Sequence, residues 1–186
     1  MKRALIGSLL LAVVPGVSLA ELRYSNVEVN WIDVELDDTS IDGDGLELAG
    51  SYELSDRLFL FGDWQDQSFD FGIDGTALEL GAGLRHELKA GLDFVGTLSY
   101  VDTEVEFAGF SADDDGLALG GGVRTELGDS FELDAMLKWV DFDNAGSDTG
   151  IALGGRYFFT DKLAVSFGTD MGDNADTLRV GFHADF

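Results

Sequence analysis

From residue 27 onward, apolar and polar residues alternate along most of the chain with a period of two, as in the row Val27-Val29-Trp31. Side chains of a β-strand point alternately to its two faces, so this pattern predicts strands with one apolar and one polar face. Ten such rows occur, and five of them span nine residues, which is about the length of a tilted strand that crosses a bilayer. The other nine rows are Leu46-Leu48-Gly50-Tyr52-Leu54, Leu58-Leu60-Gly62-Trp64, Leu78-Leu80-Ala82-Leu84, Leu92-Phe94-Gly96-Leu98-Tyr100, Leu117-Leu119-Gly121-Val123, Phe131-Leu133-Ala135-Leu137-Trp139, Ile151-Leu153-Gly155-Tyr157-Phe159, Leu163-Val165-Phe167 and Leu178-Val180-Phe182-Ala184-Phe186.

The segments between the rows alternate between tight turns and longer acidic loops. The predicted turns are 55–56, 89–91, 128–130 and 160–162, and the predicted loops are 37–44, 72–75, 109–115, 144–148 and 172–176. Short turns at one rim and longer loops at the other are typical of outer-membrane barrels, whose turns lie in the periplasm. We therefore predict an all-β fold, a transmembrane antiparallel up-and-down β-barrel of ten strands, with eight strands as the alternative.

Aromatic residues at both ends of the apolar rows indicate which face is outside. Trp and Tyr are enriched at the two interfaces between lipid and water. We therefore expect the apolar rows to face lipid, whereas a soluble calyx would place them inside. The predicted outer interface girdle consists of Trp31, Trp64, Tyr100 and Trp139, each followed two residues later by Asp, and a second girdle of Tyr52, Phe94, Phe131, Tyr157 and Phe159 lies at the opposite rim.

The first twenty residues have the composition of an export signal. Lys2 and Arg3 precede an apolar run that is too short to span a bilayer, and Ser18-Leu19-Ala20 supplies small residues where a signal peptidase reads them. We predict a signal peptide over 1–20 and an outer-membrane β-barrel over 21–186. An uncleaved membrane anchor is the alternative.

The C-terminal row places apolar residues at alternate positions up to the last residue, with Phe182 and Phe186 as its aromatic members. This row resembles the terminal strand of outer-membrane proteins, and the chain from residue 21 onward is similar to the small barrels of Gram-negative bacteria related to OmpA and OmpX. The resemblance implies a location in the cell outer membrane and insertion by the barrel assembly machinery, with Phe186 as the assembly signal. One additional hairpin distinguishes this chain from the eight-stranded members.

Acidic residues outnumber basic residues by 36 to 11, which gives a formal net charge of −25. Such a chain repels nucleic acid, so we expect no nucleic-acid partner. The predicted partners are outer-membrane lipid and lipopolysaccharide, and the pattern does not indicate an oligomeric state. The sequence contains no cysteine, which excludes disulfides and thiolate chemistry.

With the apolar rows outside, the polar rows line the lumen, where charges must pair or be hydrated. The predicted charge network of the lumen consists of Arg85, Arg124, Arg156, Arg179, Lys138, Glu47, Glu79 and Asp134. A salt-bridged lumen predicts a structural, envelope-maintenance protein. The alternative is a narrow channel that prefers cations, because acidic residues are in excess and inward glycines would widen the lumen. The predicted inward glycines are Gly81, Gly83, Gly120, Gly122 and Gly154.

Catalysis is not indicated. The only histidines are His86 and His183, and neither has a serine neighbour at a spacing that suggests a catalytic pair. We predict no enzyme, and so no lipid-modifying enzyme, and no catalytic residue. The predicted loops are too limited in length to favour a surface adhesin or receptor. We expect no cofactor and no dedicated metal site. The acidic loops would hold Ca²⁺ or Mg²⁺ only loosely.

Overall fold

A computed structural model of the chain describes residues 22–36, 39 and 41–186, and the predicted signal peptide over 1–20 lies outside these residues. Ten antiparallel strands form one sheet in sequence order, and β1 pairs with β10 to close it into a barrel. This confirms the predicted ten-stranded transmembrane barrel. The strands are β1 (Asn26–Leu36), β2 (Asp42–Ser55), β3 (Leu58–Phe69), β4 (Ile73–Lys89), β5 (Leu92–Phe107), β6 (Phe110–Leu127), β7 (Phe131–Phe142), β8 (Gly146–Phe158), β9 (Leu163–Met171) and β10 (Ala175–Asp185), with a short 3₁₀ turn at Asp70–Gly72.

Side-chain exposure separates the two faces of the sheet. Leu46 and Leu48 on β2 are 56% and 49% exposed, whereas Glu47 between them is 1% exposed. The apolar rows therefore point out of the barrel and the polar rows point into it. Closure of the ladder pairs the backbone groups of every strand, as a bilayer requires. No helix in the described part of the chain is long and apolar enough to cross a membrane.

The two rims of the barrel differ. Leu22 and the C-terminal residue, Phe186, lie at one rim, together with the four turns β2–β3, β4–β5, β6–β7 and β8–β9. We call this the proximal rim and the opposite one the distal rim. Gly91 and Gly128 adopt positive φ angles of 71° and 67° in two of the proximal turns, a conformation that glycine enters without steric cost.

Four of the five predicted distal loops are wrong in length, because the strands continue into them, and the predicted loop over 37–44 lies partly outside the described residues. The connections 70–72, 108–109, 143–145 and 172–174 have three residues or fewer. The predicted loop over 109–115 lies almost wholly in β6. Ala108 and Gly109 have positive φ angles of 52° and 83°, as a two-residue type I′ turn requires. The alternation of side chains continues up to the turn, and so does the hydrogen bonding between the two strands.

The distal rim is uneven in height. Tyr100 pairs with Leu117, and each of the two strands, β5 and β6, continues for seven further residues on the distal side of this pair. Only three residues of β7 lie beyond Trp139. We call the extension formed by β3 to β6 the tall side. It stands above the mouth of the lumen and is the first of two features that position the candidate site.

Candidate functional site in the barrel lumen

The second feature is the chain segment before β1, which turns into the proximal mouth of the barrel. Leu22 and Tyr24 are each 3% exposed and pack with Phe59 and Val95 into the apolar cluster of the lumen. The rings of Tyr24 and Phe59 have centroids 4.8 Å apart. We call residues 22–25 the plug, because the side chains of Leu22 and Tyr24 are buried in this end of the lumen.

Two arginines from the strands on either side of β5 hold the plug. Arg85 on β4 donates from Nη1 to the carbonyl oxygen of Leu22 over 2.9 Å, and Arg124 on β6 donates from Nη1 to that of Arg23 over 2.8 Å. Both guanidinium carbons lie 4.9 Å from the ring centroid of Tyr24, within the range of cation–π attraction. Arg124 also bonds the buried carboxylate of Glu132.

The hydroxyl of Tyr24 completes this arrangement. It donates a hydrogen bond of 3.0 Å to Asp93 Oδ2, and Arg85 Nη1 lies 3.8 Å from the same oxygen. Burial raises the pKa of Tyr24 far above its usual value, so the ring stays neutral between the two guanidinium groups. Hydroxyl Oγ of Ser51 donates to the Tyr24 carbonyl oxygen over 2.8 Å. The polar groups of the plug are thus satisfied inside the barrel.

Near the same rim, an ion-paired group surrounds His183 close to the end of β10. Its Nδ1 lies 2.7 Å from Glu28 Oε1 and its Nε2 lies 2.8 Å from Asp185 Oδ1. Arg156 donates from Nε to Glu28 Oε1 over 2.6 Å and from Nη1 to Asp134 Oδ1 over 2.8 Å. These contacts join β1, β7, β8 and β10 across the barrel.

Nearer the distal rim, amide and hydroxyl groups, rather than arginines, form most hydrogen bonds to the carboxylates. Asn30 Nδ2 donates to Glu47 Oε1 over 2.6 Å, and its own Oδ1 accepts from Ser166 over 2.7 Å. Gln65 Nε2 donates to both Glu47 Oε2 and Asp63 Oδ1, at 3.2 Å and 2.9 Å. Within the described residues, Asp63 forms no ion pair with a lysine or arginine.

Two basic side chains form ion pairs with the carboxylates of this distal half. Arg179 pairs with Asp170 and lies 3.6 Å from Glu47 Oε2, while Lys138 pairs with Glu79. Of the predicted network, Arg156 contacts Asp134, Lys138 contacts Glu79 and Arg179 contacts Glu47. Arg85 and Arg124 stand apart from these pairs, because both are engaged at the plug.

A cavity of about 520 Å³ lies above the plug and extends from Tyr24 to Asp148 at the distal rim. Its volume is within the range of small-molecule sites. Carboxylates outnumber basic groups in its lining by seven to four. The carboxylates are Glu28, Glu47, Asp63, Glu79, Asp134, Asp148 and Asp170, and the basic groups are those of Arg124, Lys138, Arg156 and Arg179.

The expectation that inward glycines widen the lumen is wrong, because neighbouring side chains occupy the space above them. A Cβ atom at Gly83 would overlap the ring of Phe59, and one at Gly81 would lie 2.6 Å from Cζ of Phe61. At Gly154 the occupant is the carboxylate of Asp134, 2.5 Å from the Cβ position. Likewise, Thr97 lies over Gly120 and Met136 over Gly122. These glycines let rings and carboxylates lie flat against the wall.

The remaining predicted residues lie on the outside or at the rims. Trp31, Trp64, Tyr100 and Trp139 are all outward and 41–46% exposed, in a position to form the predicted girdle. Phe186 is exposed at the proximal rim, and its role as an assembly signal stays a prediction. His86 is an exposed, outward residue. Among the described residues, no group of three or more acidic or histidine side chains is arranged to hold a metal ion.

Sequence reasoning missed the plug and the apolar floor of the lumen. The segment Leu58-Phe59-Leu60-Phe61 is apolar on both faces, which is typical of a strand that is buried on both sides. That signal could have placed Phe59 and Phe61 inside. No sequence pattern marks Tyr24, because its burial depends on arginines from β4 and β6.

No protein-family model matches the sequence, and no curated protein matches it. Solved structures match its fold. The NanC porin is 12% identical, with 87% of this chain and 100% of that chain covered and a TM-score of 0.50. The translocator domain of the autotransporter NalP from Neisseria meningitidis is 11% identical, with 90% and 91% covered and a TM-score of 0.52.

The N-terminal β-barrel domain of Pseudomonas aeruginosa OprF is 14% identical, with 86% of this chain and 97% of that chain covered and a TM-score of 0.48. At such identities the likeness to the NanC porin and to the NalP translocator domain shows the fold, which is that of outer-membrane β-barrels. The narrower resemblance to the OmpA and OmpX family stays a prediction.

Proposed function

We propose that this protein is a structural barrel of the outer membrane, with a role in envelope maintenance and a lumen that does not conduct. The observation that carries the proposal is the plug. Leu22 and Tyr24 are buried in the proximal mouth, and Arg85 and Arg124, on the two strands that flank β5, bond the carbonyl oxygens of Leu22 and Arg23. A channel needs a continuous water path, and this packing interrupts it.

Energetics support a permanent closure. Opening the mouth would remove Tyr24 from an apolar cluster and separate it from two guanidinium groups. Burial of an aromatic side chain alone contributes about 3 kcal/mol, and each cation–π contact adds about 0.5–2 kcal/mol. Thermal motion therefore opens the plug rarely.

The orientation that fits this role places the proximal rim in the periplasm and the distal rim at the cell surface, as in other outer-membrane barrels. The outward girdle residues would then lie at the two interfaces of the membrane. The acidic distal rim would meet lipopolysaccharide phosphates through loosely bound divalent cations. The barrel assembly machinery would insert the chain, with Phe186 at the end of the last strand.

Planar-bilayer recording of the refolded protein tests the proposal. We expect stable insertion without steady current steps. The double variant Leu22→Ala/Tyr24→Ala should conduct, because it leaves a gap between Arg85 and Arg124. Tyr52→Ala is the matched control, since this outward aromatic residue lies in the barrel wall near the same rim. Steady steps from the wild-type protein would overturn the proposal.

A narrow channel that prefers cations is the second candidate function. The observation in its favour is the cavity of about 520 Å³ with seven carboxylates and four basic groups. Current from the wild-type protein in a salt gradient, with a reversal potential on the cation side, would support this candidate. Glu79 and Arg124 would then be the residues to substitute next.

A further inference from the structure

The tall side carries an apolar row on its inner face, above the mouth of the cavity. Phe69, Ile73, Phe107 and Phe110 are paired in register across β3, β4, β5 and β6, so their side chains share one face. With strands about 4.8 Å apart, the row is about 14 Å wide. Phe107 is 51% exposed and Phe110 is 80% exposed.

The tall side, and with it this row, lies in water rather than in the membrane. The opposite face of the same hairpins carries Asp74, Glu104, Glu106 and Asp113, all exposed. Carboxylates on the outer face keep the tall side in water, while exposed aromatic residues gathered on one face are typical of an interaction site. The partner must therefore offer apolar groups to the inner face.

The charge around this face defines the rest of the partner. The segments 58–84 and 90–123, which form most of the tall side, contain no lysine or arginine. Acidic partners are repelled, including a second copy of this chain with its net charge of −25. The cavity below has excess carboxylates, and Asp63 has only the Gln65 amide as a side-chain partner among the described residues.

The distance between the aromatic row and the carboxylates shows whether a small amine or a longer ligand can contact both. Ile73 and Glu79 lie on the same inward face of β4, six residues apart, which is about 20 Å along a strand. A small amine cannot touch both the aromatic row and the carboxylates. A peptide of about eight residues can do so, because its apolar side chains can lie against the row while a lysine further along its chain reaches the carboxylates.

We propose that the inner face of the tall side and the acidic cavity beneath it form one groove for a cationic amphipathic peptide. Apolar side chains of the peptide pack on Phe107 and Phe110, and a lysine or arginine reaches the carboxylates near Asp63. This activity goes beyond the structural role and does not depend on conduction, because the groove opens at the distal rim and the plug closes the other end.

Fluorescence anisotropy of a dye-labelled peptide of alternating lysine and leucine tests the groove. The protein is held in nanodiscs of phosphatidylcholine, whose headgroup has no net charge. We expect saturable binding that weakens as salt is added. The same peptide with glutamate in place of lysine should not bind. Equal binding to nanodiscs without protein would assign the signal to lipid and overturn the proposal.

Variants locate the peptide. Phe107→Ser/Phe110→Ser should weaken binding by about tenfold or more, since buried aromatic anchors dominate peptide affinity. Asp63→Asn should weaken it several-fold. Phe71→Ser is the matched control, because Phe71 is 76% exposed at the same rim but lies outside the paired row.

Each variant is first shown to be folded. A folded barrel resists unfolding in cold detergent, and each variant must show this resistance. Wild-type affinity in the folded Phe107→Ser/Phe110→Ser variant would remove the aromatic row from the site. An equal loss in Phe71→Ser would show unspecific contact with exposed rings. Unchanged affinity in Asp63→Asn would remove the cavity from the groove. Each of these three results overturns the groove as proposed.

Discussion

The two halves of the lumen solve the problem of enclosed charge differently, although the same strands line both. In the proximal half, Arg85 and Arg124 bond carbonyl oxygens, carboxylates and the ring of Tyr24 together. In the distal half, carboxylates are in excess, and Nε of Arg179 is buried without a hydrogen-bond partner among the described residues.

The difference shows where stability and binding capacity reside. A guanidinium group that is saturated on all sides fixes its surroundings, and removal of such a group leaves a buried charge uncompensated. A half-open, acidic region tolerates change and can accept an additional cation. The proximal half is therefore the structural part of the molecule, and the distal half is the part that remains available to a ligand.

The largest expected effect comes from removal of the arginine that joins plug and wall. Arg124→Ala leaves the carboxylate of Glu132 buried without its cation, which costs about 3–5 kcal/mol. Lys138→Ala removes an ion pair whose lysine side chain is 39% exposed, which costs about 1 kcal/mol or less. Urea unfolding of the refolded proteins, followed by tryptophan fluorescence, measures both values.

Arg57→Ala is the control for a loss of positive charge at the proximal rim, because Arg57 is exposed in a turn. We expect it to change the unfolding free energy by less than about 0.5 kcal/mol. Equal losses in Arg124→Ala and Lys138→Ala would erase the distinction between the halves.

A smaller effect is expected from a methyl group added to the proximal wall. In Gly83→Ala the new Cβ overlaps the ring of Phe59, which is packed against Tyr24 and has no free space to enter. Overpacking of this kind costs about 1–3 kcal/mol. Gly121→Ala is the matched control, since no atom lies within 4 Å of its Cβ position. A Gly83→Ala variant as stable as the Gly121→Ala variant would show that the proximal packing is loose.

The period-two pattern predicts the ten strands because each strand has one lipid face, and a lipid face demands apolar residues throughout. The same logic places Arg156 and Glu28 inside. It cannot predict which charges pair, because residues such as Arg156 and Glu28 are 128 positions apart and meet only after closure. The predicted loop over 109–115 is wrong because acidic residues are typical of loops, whereas a strand in water also carries them.

The plug lies beyond sequence prediction for another reason. Tyr24 precedes the first strand, and no local pattern distinguishes it from a residue of an exposed tail. Its burial arises from two arginines and a phenylalanine on three other strands. The sequence thus predicts which charged residues line the lumen. It does not predict the plug that closes the proximal end.

The smallest stability effect is expected at Asp63 in the distal half. Its carboxylate lies near those of Glu47 and Glu79, and its side-chain hydrogen bond comes from Gln65. Asp63→Asn keeps an oxygen for that bond and removes like-charge repulsion. The unfolding free energy should therefore stay constant or rise by up to about 1 kcal/mol.

Asp134→Asn is the comparison that gives this result meaning, because it makes the same chemical change at a carboxylate bonded by Arg156 over 2.8 Å. We expect it to lower the unfolding free energy by about 1.5–3 kcal/mol, the value of a hydrogen bond to a charged group. Urea unfolding of both variants at one pH gives the difference. Equal destabilisation would mean that a basic group pairs with Asp63 as well. The carboxylates of the distal half would then be as fully paired as those of the proximal half.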